Sequence, residues 1–199
     1  MSSLGDLDRV ADMLGSEGRS PNMLERILGS FPQVIQLLRN DHKMVRSLFK
    51  QYEKASKGQK PQLAHQIMQE LTVHAAVEEQ VVYPALRQAF KEPQSVVYEA
   101  VEEHHLAHLW LKELNSFRPG PGSATFDAKF NVLREVVKHH VNEEEGHLFP
   151  KAEAQNLDWT SLYEKALKIK NQRTTKSIAC AHVRAQILVL RHRRIQTKI

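Results

Sequence analysis

The segment HHVNEEEGHLFP, residues 139–150, places three histidines and three glutamates within twelve residues of a chain of 199. A similar segment, HAAVEEQVVYP, occupies residues 74–84. The two align at a constant offset, because 140 − 74 and 150 − 84 both give 66. His74 then corresponds to His140, and Glu78 corresponds to Glu144. The chain therefore contains an internal repeat of the pattern HxxxEE, and a proline follows in each copy.

Four stretches of sequence carry apolar residues at spacings of three and four, the pattern of a helix with one buried face. These stretches lie between residues 33 and 56, 61 and 85, 97 and 114, and 126 and 148. The polar segments GQK and RPGPGSA are short connections, which favour antiparallel neighbours. The sequence therefore predicts an all-α fold, an up-down-up-down antiparallel four-helix bundle with N- and C-terminal extensions.

Each of the four apolar stripes is interrupted by histidine, and two of them also by glutamate. The interrupting residues are His42 in the first stripe, His74 and Glu78 in the second, His104 and His108 in the third, and His140 and Glu144 in the fourth. Burying such groups without partners costs several kcal/mol each. A histidine and a glutamate four residues apart share one helix face, and imidazole with carboxylate suits metals such as iron or zinc. The pattern predicts a dinuclear metal centre in the bundle core.

The sequence resembles the hemerythrin-like family, also called the HHE cation-binding domain. The matching segments are DHKMVRSLF, HAAVEEQVVYPAL, EEHHLAHLWLKEL and HHVNEEEGHLFPKA, and the resemblance covers about residues 30–155. It implies a non-haem di-iron site, with two Fe ions joined by an oxo or hydroxo bridge, that binds or responds to O2, NO, peroxide or iron itself. The implied ligands are His42, His74, Glu78, His104, His140 and Glu144.

The register of the helices selects among neighbouring candidate ligands. His104 is preferred to His105 because it aligns the following apolar residues with those after His42. The repeat selects His140, leaving His139 partly exposed, and selects Glu144 with Glu145 as the alternative. His108 is either a further ligand or a partner of one.

The fourth helix departs from the oxygen-carrying hemerythrins. Those proteins have HxxxxD on this helix, and here Glu145 occupies the position of the aspartate. The departure favours the branch of the family that serves stress response and sensing over dedicated oxygen carriers.

Composition limits the remaining possibilities. Cys180 is the single cysteine, so an intrachain disulfide and a thiolate cluster are excluded. The chain has neither the apolar run of about 20 residues that a membrane span needs nor the charge order of a secretory signal, which predicts a cytoplasmic protein.

The basic charge of the chain is confined to its C-terminal part. Residues 160–199 hold ten Lys/Arg against one acid, although the formal net charge of the whole chain is only +5. We expect three segments: an N-terminal leader at 1–29, a hemerythrin-like bundle at 30–157 and a basic extension at 158–199. The extension is interpreted as solvated or loosely docked, in preference to a nucleic-acid or membrane-binding helix, because no aromatic residue follows Tyr163. A chain ending near residue 159 is therefore expected to keep its metal.

The predicted function is a non-haem di-iron protein that binds or reacts with O2, NO or peroxide in stress response or sensing. The alternatives are a non-enzymatic metal-binding or iron-sensing module, or a regulator that acts through its basic tail. The sequence leaves the oligomeric state and the physiological ligand open.

Overall fold

The computed structural model describes residues 32–90 and 95–172, and these residues form five helices and no strand. Helix α1 is Gln33–Lys54, and helix α3 is Ser95–Ser116. Helices α2 and α4 each contain a π-helical turn. The parts of α2 are Lys60–Val77, the π turn Glu78–Val82 and Tyr83–Ala89; the parts of α4 are Ala124–Glu143, the π turn Glu144–Leu148 and Phe149–Glu153. Helix α5 comprises residues 159–172.

The predicted all-helical architecture is confirmed, and the helices start where the sequence suggests. Pro61 lies in the first turn of α2. Ser123 caps α4, because its hydroxyl accepts a hydrogen bond from the amide of Phe126 at 3.3 Å. The up-down-up-down order of the helices stays a prediction. The predicted leader at 1–29 and the chain after residue 172 lie outside the described residues.

The bundle core consists of two apolar clusters on either side of a polar layer. Helix α1 packs against α2, and α3 against α4, with further contacts of α1 with α4 and of α2 with α3. One cluster includes Ile35 and Leu86, and the other includes Phe49 and Phe130. The polar layer lies between them because each stripe has its histidine midway along the helix. The bundle therefore places the predicted metal ligands at the same level.

The π turns of α2 and α4 occupy equivalent positions of the repeat. In each turn an amide donates to the carbonyl five residues earlier, from Tyr83 to Glu78 and from Phe149 to Glu144. The next residue is proline, which lacks an amide hydrogen and crowds the carbonyl four residues before it. Widening the turn relieves this conflict, and π turns are frequent at functional sites. Both turns begin at the glutamates that the sequence predicts as ligands.

Helix α5 packs on the bundle. Trp159, Leu162 and Ala166 are buried in the same apolar cluster as Ile35 and Leu86. The sequence analysis expected a solvated or loosely docked extension here, whereas its first part, 159–172, is a docked amphipathic helix. No helix in the two described ranges is both long and apolar enough to cross a membrane.

Candidate metal centre

The six predicted ligands converge in the polar layer. They are buried side chains, none more than 6% exposed: His42, His74, Glu78, His104, His140 and Glu144. Helices α1 and α3 contribute one histidine each. Helices α2 and α4 contribute one HxxxE pair each, with the glutamate at the start of the π turn. The tertiary structure thus brings together all six residues that the sequence analysis gives as implied ligands.

One donor atom from each side chain forms a closed ring, which we call the donor ring. Its successive contacts are His42 Nε2 to His74 Nε2 at 3.1 Å, His74 Nε2 to Glu78 Oε2 at 3.1 Å, Glu78 Oε2 to His104 Nε2 at 3.2 Å, His104 Nε2 to His140 Nε2 at 3.1 Å, His140 Nε2 to Glu144 Oε2 at 3.4 Å, and Glu144 Oε2 to His42 Nε2 at 3.3 Å. Metal bonds of about 2.1 Å at right angles separate two donor atoms by about 3 Å. These spacings match donors that share a cation.

The ring divides into two halves joined by the carboxylates. His42 and His74 form one half, and His104 and His140 form the other. Oε2 of Glu78 and Oε2 of Glu144 each lie within 3.4 Å of one histidine in either half. Each carboxylate therefore lies between the two pairs of histidines. Among the described residues, two overlapping sets of donors are close enough to hold a metal ion: His42, His74, Glu78 and Glu144; and Glu78, His104 and His140.

The carboxylate oxygens of the ring lack hydrogen-bond partners. In the described ranges, the buried side-chain polar atoms without a hydrogen bond are Oε1 and Oε2 of Glu78 and Oε2 of Glu144. The neighbouring Nε2 atoms are close to two of them but do not point N–H bonds at them. An unpaired buried carboxylate is expensive, and such groups are paired or bind metals. The donor set thus fits metal cations located between imidazole nitrogens and carboxylate oxygens.

A carboxylate lies behind every histidine of the ring, and we call these four the outer carboxylates. The Nδ1 contacts are His42 with Glu145 at 2.9 Å, His74 with Asp41 at 3.5 Å, His104 with Glu79 at 2.9 Å, and His140 with Glu103 at 2.8 Å. An ionised carboxylate can only accept, so Nδ1 carries the proton, and in the neutral imidazole Nε2 keeps its lone pair. The outer carboxylates thereby direct all four Nε2 atoms towards the centre of the ring.

The outer carboxylates follow a cyclic order around the bundle. Asp41 of α1 contacts α2, Glu79 of α2 contacts α3, Glu103 of α3 contacts α4, and Glu145 of α4 contacts α1. Each of them is next in sequence to a residue of the donor ring. Each outer carboxylate therefore contacts a histidine of another helix, while the residue beside it in the chain belongs to the donor ring.

Each outer carboxylate also has a basic partner further from the centre. The pairs are Asp41 with Lys170 at 2.7 Å, Glu79 with His108 at 2.7 Å, Glu103 with His139 at 3.3 Å, and Glu145 with Arg46 at 3.2 Å. Lys170 and Arg46 offset the negative charges of Asp41 and Glu145. The histidine half formed by His42 and His74 is supported by Lys170 and Arg46, and the other half by two histidines.

The carboxylates of the centre raise the pKa values of His74 and His140. Burial by itself lowers the pKa of His74. The charge of Glu78 and the hydrogen bond to Asp41 outweigh this effect and raise the pKa to about 10. The pKa of His140 is also raised, because Glu144 and Glu103 outweigh burial. Metal-free protein therefore holds protons at positions that a cation would occupy.

The structure separates ligand candidates that the sequence left open. Glu144 lies in the donor ring, whereas Glu145 lies behind His42. His108 lies outside the ring with its side chain 44% exposed, and it contacts Glu79 instead. His139 is 64% exposed, in agreement with its predicted position.

Sequence reasoning missed three residues of the centre. Asp41 and Glu103 immediately precede His42 and His104 in the sequence. This shared position could have indicated that they have equivalent roles. Tyr83 is fully buried, and its hydroxyl donates to Glu144 Oε1 at 2.9 Å. The spacing of apolar residues in α2 predicts only that Tyr83 belongs to the apolar core.

A small cavity of about 30 Å³ adjoins the donor ring. His42, His74 and His140 line it together with Asp41, His108 and apolar residues such as Val45 and Leu111. A cavity needs about 10–15 Å³ to hold one water molecule. The cavity therefore has room for a molecule of two or three atoms beside the histidines.

Comparison with known proteins supports a metal-binding site. Residues 33–152 match the model of the hemerythrin HHE cation-binding domain, and the chain belongs to this family. A crystal structure of a hemerythrin HHE cation-binding domain-containing protein from Mycobacterium kansasii is similar in fold, with a TM-score of 0.58 and 21% identity over 70% of this chain and 86% of that one. The family and the buried His/Glu clusters identify a metal-binding protein, and iron is the metal typical of the family.

A protein of Nostoc sp. (strain PCC 7120), named a DNA nickase, is 31% identical over 114 residues, or 57% of this chain. The match spans 31% of that protein's length. Its name therefore describes a much longer protein than the segment shared with this chain.

Proposed function

We propose that the donor ring holds two iron ions and that the reduced centre binds or reacts with a small molecule, O2, NO or peroxide. The protein would act in stress response or sensing. The ligands would be His42 and His74 for one ion, His104 and His140 for the other, and Glu78 and Glu144 between them.

The observation that carries this proposal is the set of unpartnered oxygens on Glu78 and Glu144. Both carboxylates are fully or almost fully buried, and each faces imidazole nitrogens of both halves. Buried carboxylate oxygens without hydrogen bonds are destabilising unless cations lie beside them. Their position between two pairs of histidines supports two ions instead of one.

The nitrogen and oxygen donors suit iron among several metals. Bound iron would supply ferrous and ferric states and a position at which a small molecule exchanges. The outer carboxylates hold the imidazole rings in place, and the cavity beside His42, His74 and His140 admits a molecule of two or three atoms. These features support O2, NO or peroxide as the reactant.

The test combines metal analysis with rapid mixing. We expect about two irons per chain and a visible spectrum that changes on adding azide. After anaerobic reduction, stopped-flow mixing with O2, NO and hydrogen peroxide separately should change the iron spectrum for at least one of them. Iron binding without a response to any of the three would reject the reactive centre. The non-enzymatic iron-binding or iron-sensing module would then remain.

A further inference from the structure

Helix α5 reaches the metal centre through one charged side chain. Lys170 Nζ donates to both oxygens of Asp41, at 2.7 Å and 2.5 Å, and Asp41 Oδ2 faces His74 Nδ1 at 3.5 Å. The basic partners of the other outer carboxylates, Arg46, His108 and His139, belong to α1, α3 and α4. In the described residues, Lys170 is thus the partner supplied from outside the four-helix bundle.

The position of Lys170 follows from the buried face of α5. Leu162, Ala166 and Lys170 are spaced by four residues and share one side of the helix. The first two are buried in the apolar cluster, and Lys170 continues the same face with its side chain 21% exposed. A lysine at the end of a buried stripe needs an anion, and Asp41 provides it. Docking of α5 and pairing of Asp41 therefore occur together.

Asp41 depends on this lysine because it is buried. Only 6% of the residue is exposed, so little water can replace the ammonium group. Removing one member of a buried ion pair leaves the other charge uncompensated. Asp41 would then turn towards solvent and away from His74. His74 would lose the contact that orients its ring, and losses of this kind typically weaken metal binding by about 10- to 100-fold.

We propose that Lys170 is a positioning residue of the metal centre and that docking of α5 is thermodynamically coupled to metal binding. The inference rests on the proposed role of His74 as a ligand. Because coupling is reciprocal, bound metal favours the docked helix as much as the docked helix favours bound metal. Helix α5 also precedes residues 173–199, which contain seven Lys/Arg and no acid. The coupling would make α5 the link between metal occupancy and this basic segment.

The test uses the full chain with Lys170→Met and, as the matched control, Lys168→Met, an exposed lysine on the same helix. Fe2+ affinity is measured anaerobically by chelator competition. We expect a loss of about 10-fold or more for K170M, no change for K168M, and recovery of most of the affinity in K170R, which keeps the charge. Circular dichroism of the same samples monitors folding, and K170R keeps the comparison valid if K170M loses helix.

A second measurement addresses the docking of α5 directly. Limited proteolysis in the connection at residues 154–158 should be slower with Fe2+ than without it, and K170M should lose much of this protection. Arg46→Met should weaken Fe2+ binding through Glu145 while leaving the protection by bound Fe2+ unchanged. Wild-type affinity in K170M, or equal cleavage rates with and without Fe2+ in the wild type, would overturn the coupling. Failure of the wild type itself to bind Fe2+ would overturn the proposed function, and the coupling with it.

Discussion

Tyr83 and Phe149 occupy equivalent positions of the internal repeat, but only Tyr83 carries a hydroxyl, which donates to Oε1 of Glu144 at 2.9 Å. The ring of Phe149 stacks on His42 with the ring centroids 5.7 Å apart, and Oε1 of Glu78 has no hydrogen-bond partner. The repeat therefore produces two similar halves of the centre, whose carboxylates Glu78 and Glu144 differ in their hydrogen bonds.

This asymmetry predicts a specific effect of Tyr83→Phe. The variant leaves Oε1 of Glu144 unpaired in addition to the three buried oxygens of Glu78 and Glu144 that already lack hydrogen bonds. The metal-free protein should therefore lose about 1–3 kcal/mol of unfolding free energy. The spectrum of the iron-loaded protein should also change, because Glu144 is no longer oriented. Tyr52→Phe is the control, since it removes a hydroxyl that donates to Asp127 at 2.6 Å, far along α1 from the donor ring. A spectrum altered equally by both variants would contradict the assignment.

Adjacent histidines on α4 test the ligand assignment. His140→Ala removes a donor atom of the ring, whereas His139→Ala removes an exposed partner of Glu103. We expect H140A to lose most of its iron and H139A to keep about the wild-type content. Elemental analysis of the purified proteins gives the comparison, and equal losses would show that the repeat register is misassigned.

His104 and His108 provide a second pair, one helical turn apart on α3. His104 Nε2 lies in the donor ring, whereas His108 Nε2 contacts the outer carboxylate Glu79. His108→Ala should keep the iron stoichiometry and lower the affinity by less than about 10-fold, below the usual range for partners in direct contact with ligands. His104→Ala should lower the stoichiometry. Loss of iron in H108A would instead indicate that His108 is a metal ligand.

Truncation before α5 should damage the bundle, contrary to the expectation from sequence. A chain ending at residue 158 lacks Trp159 and Leu162, and burial of each large apolar side chain stabilises a fold by about 1.5–3 kcal/mol. It also lacks Lys170. We expect a lower unfolding midpoint and weaker iron binding than for a chain ending at residue 172. Equal midpoints for the two truncated chains would return α5 to the status of a dispensable extension.

Metal binding should strengthen as the pH rises. The pKa of His74 is raised to about 10 and that of His140 is also raised in the metal-free protein, so both are protonated near neutral pH. A cation must displace these protons, and the competition weakens as the pH approaches the raised pKa values. Zn2+ titration calorimetry in buffers of different ionisation enthalpy should therefore detect proton release at neutral pH. Binding heats that are independent of the buffer would contradict this.

The sequence by itself predicted the helical class, and its resemblance to the hemerythrin-like family implied the six residues that form the donor ring. Helical spacing gives the angle of each residue around its own helix, and the repeat gives the register of α4 relative to α2. Both properties are local, so His42, Glu78 and Glu144 could be selected without knowledge of their neighbours. The same reasoning separated His140 from His139, because adjacent residues differ by about 100° around a helix.

The tertiary structure decided which residue of one helix meets which residue of another. His108 shared the apolar stripe of His104, but it lies at the edge of the interface and contacts Glu79. The pairing of Asp41 with His74 and Lys170 depends on how far each helix is displaced along its neighbour and on the docking of α5. The periodicity of a single helix predicts neither the displacement between helices nor the docking of α5. The candidate ligands could therefore be predicted from the sequence, whereas the network of hydrogen bonds that orients them could be identified only in the packed fold.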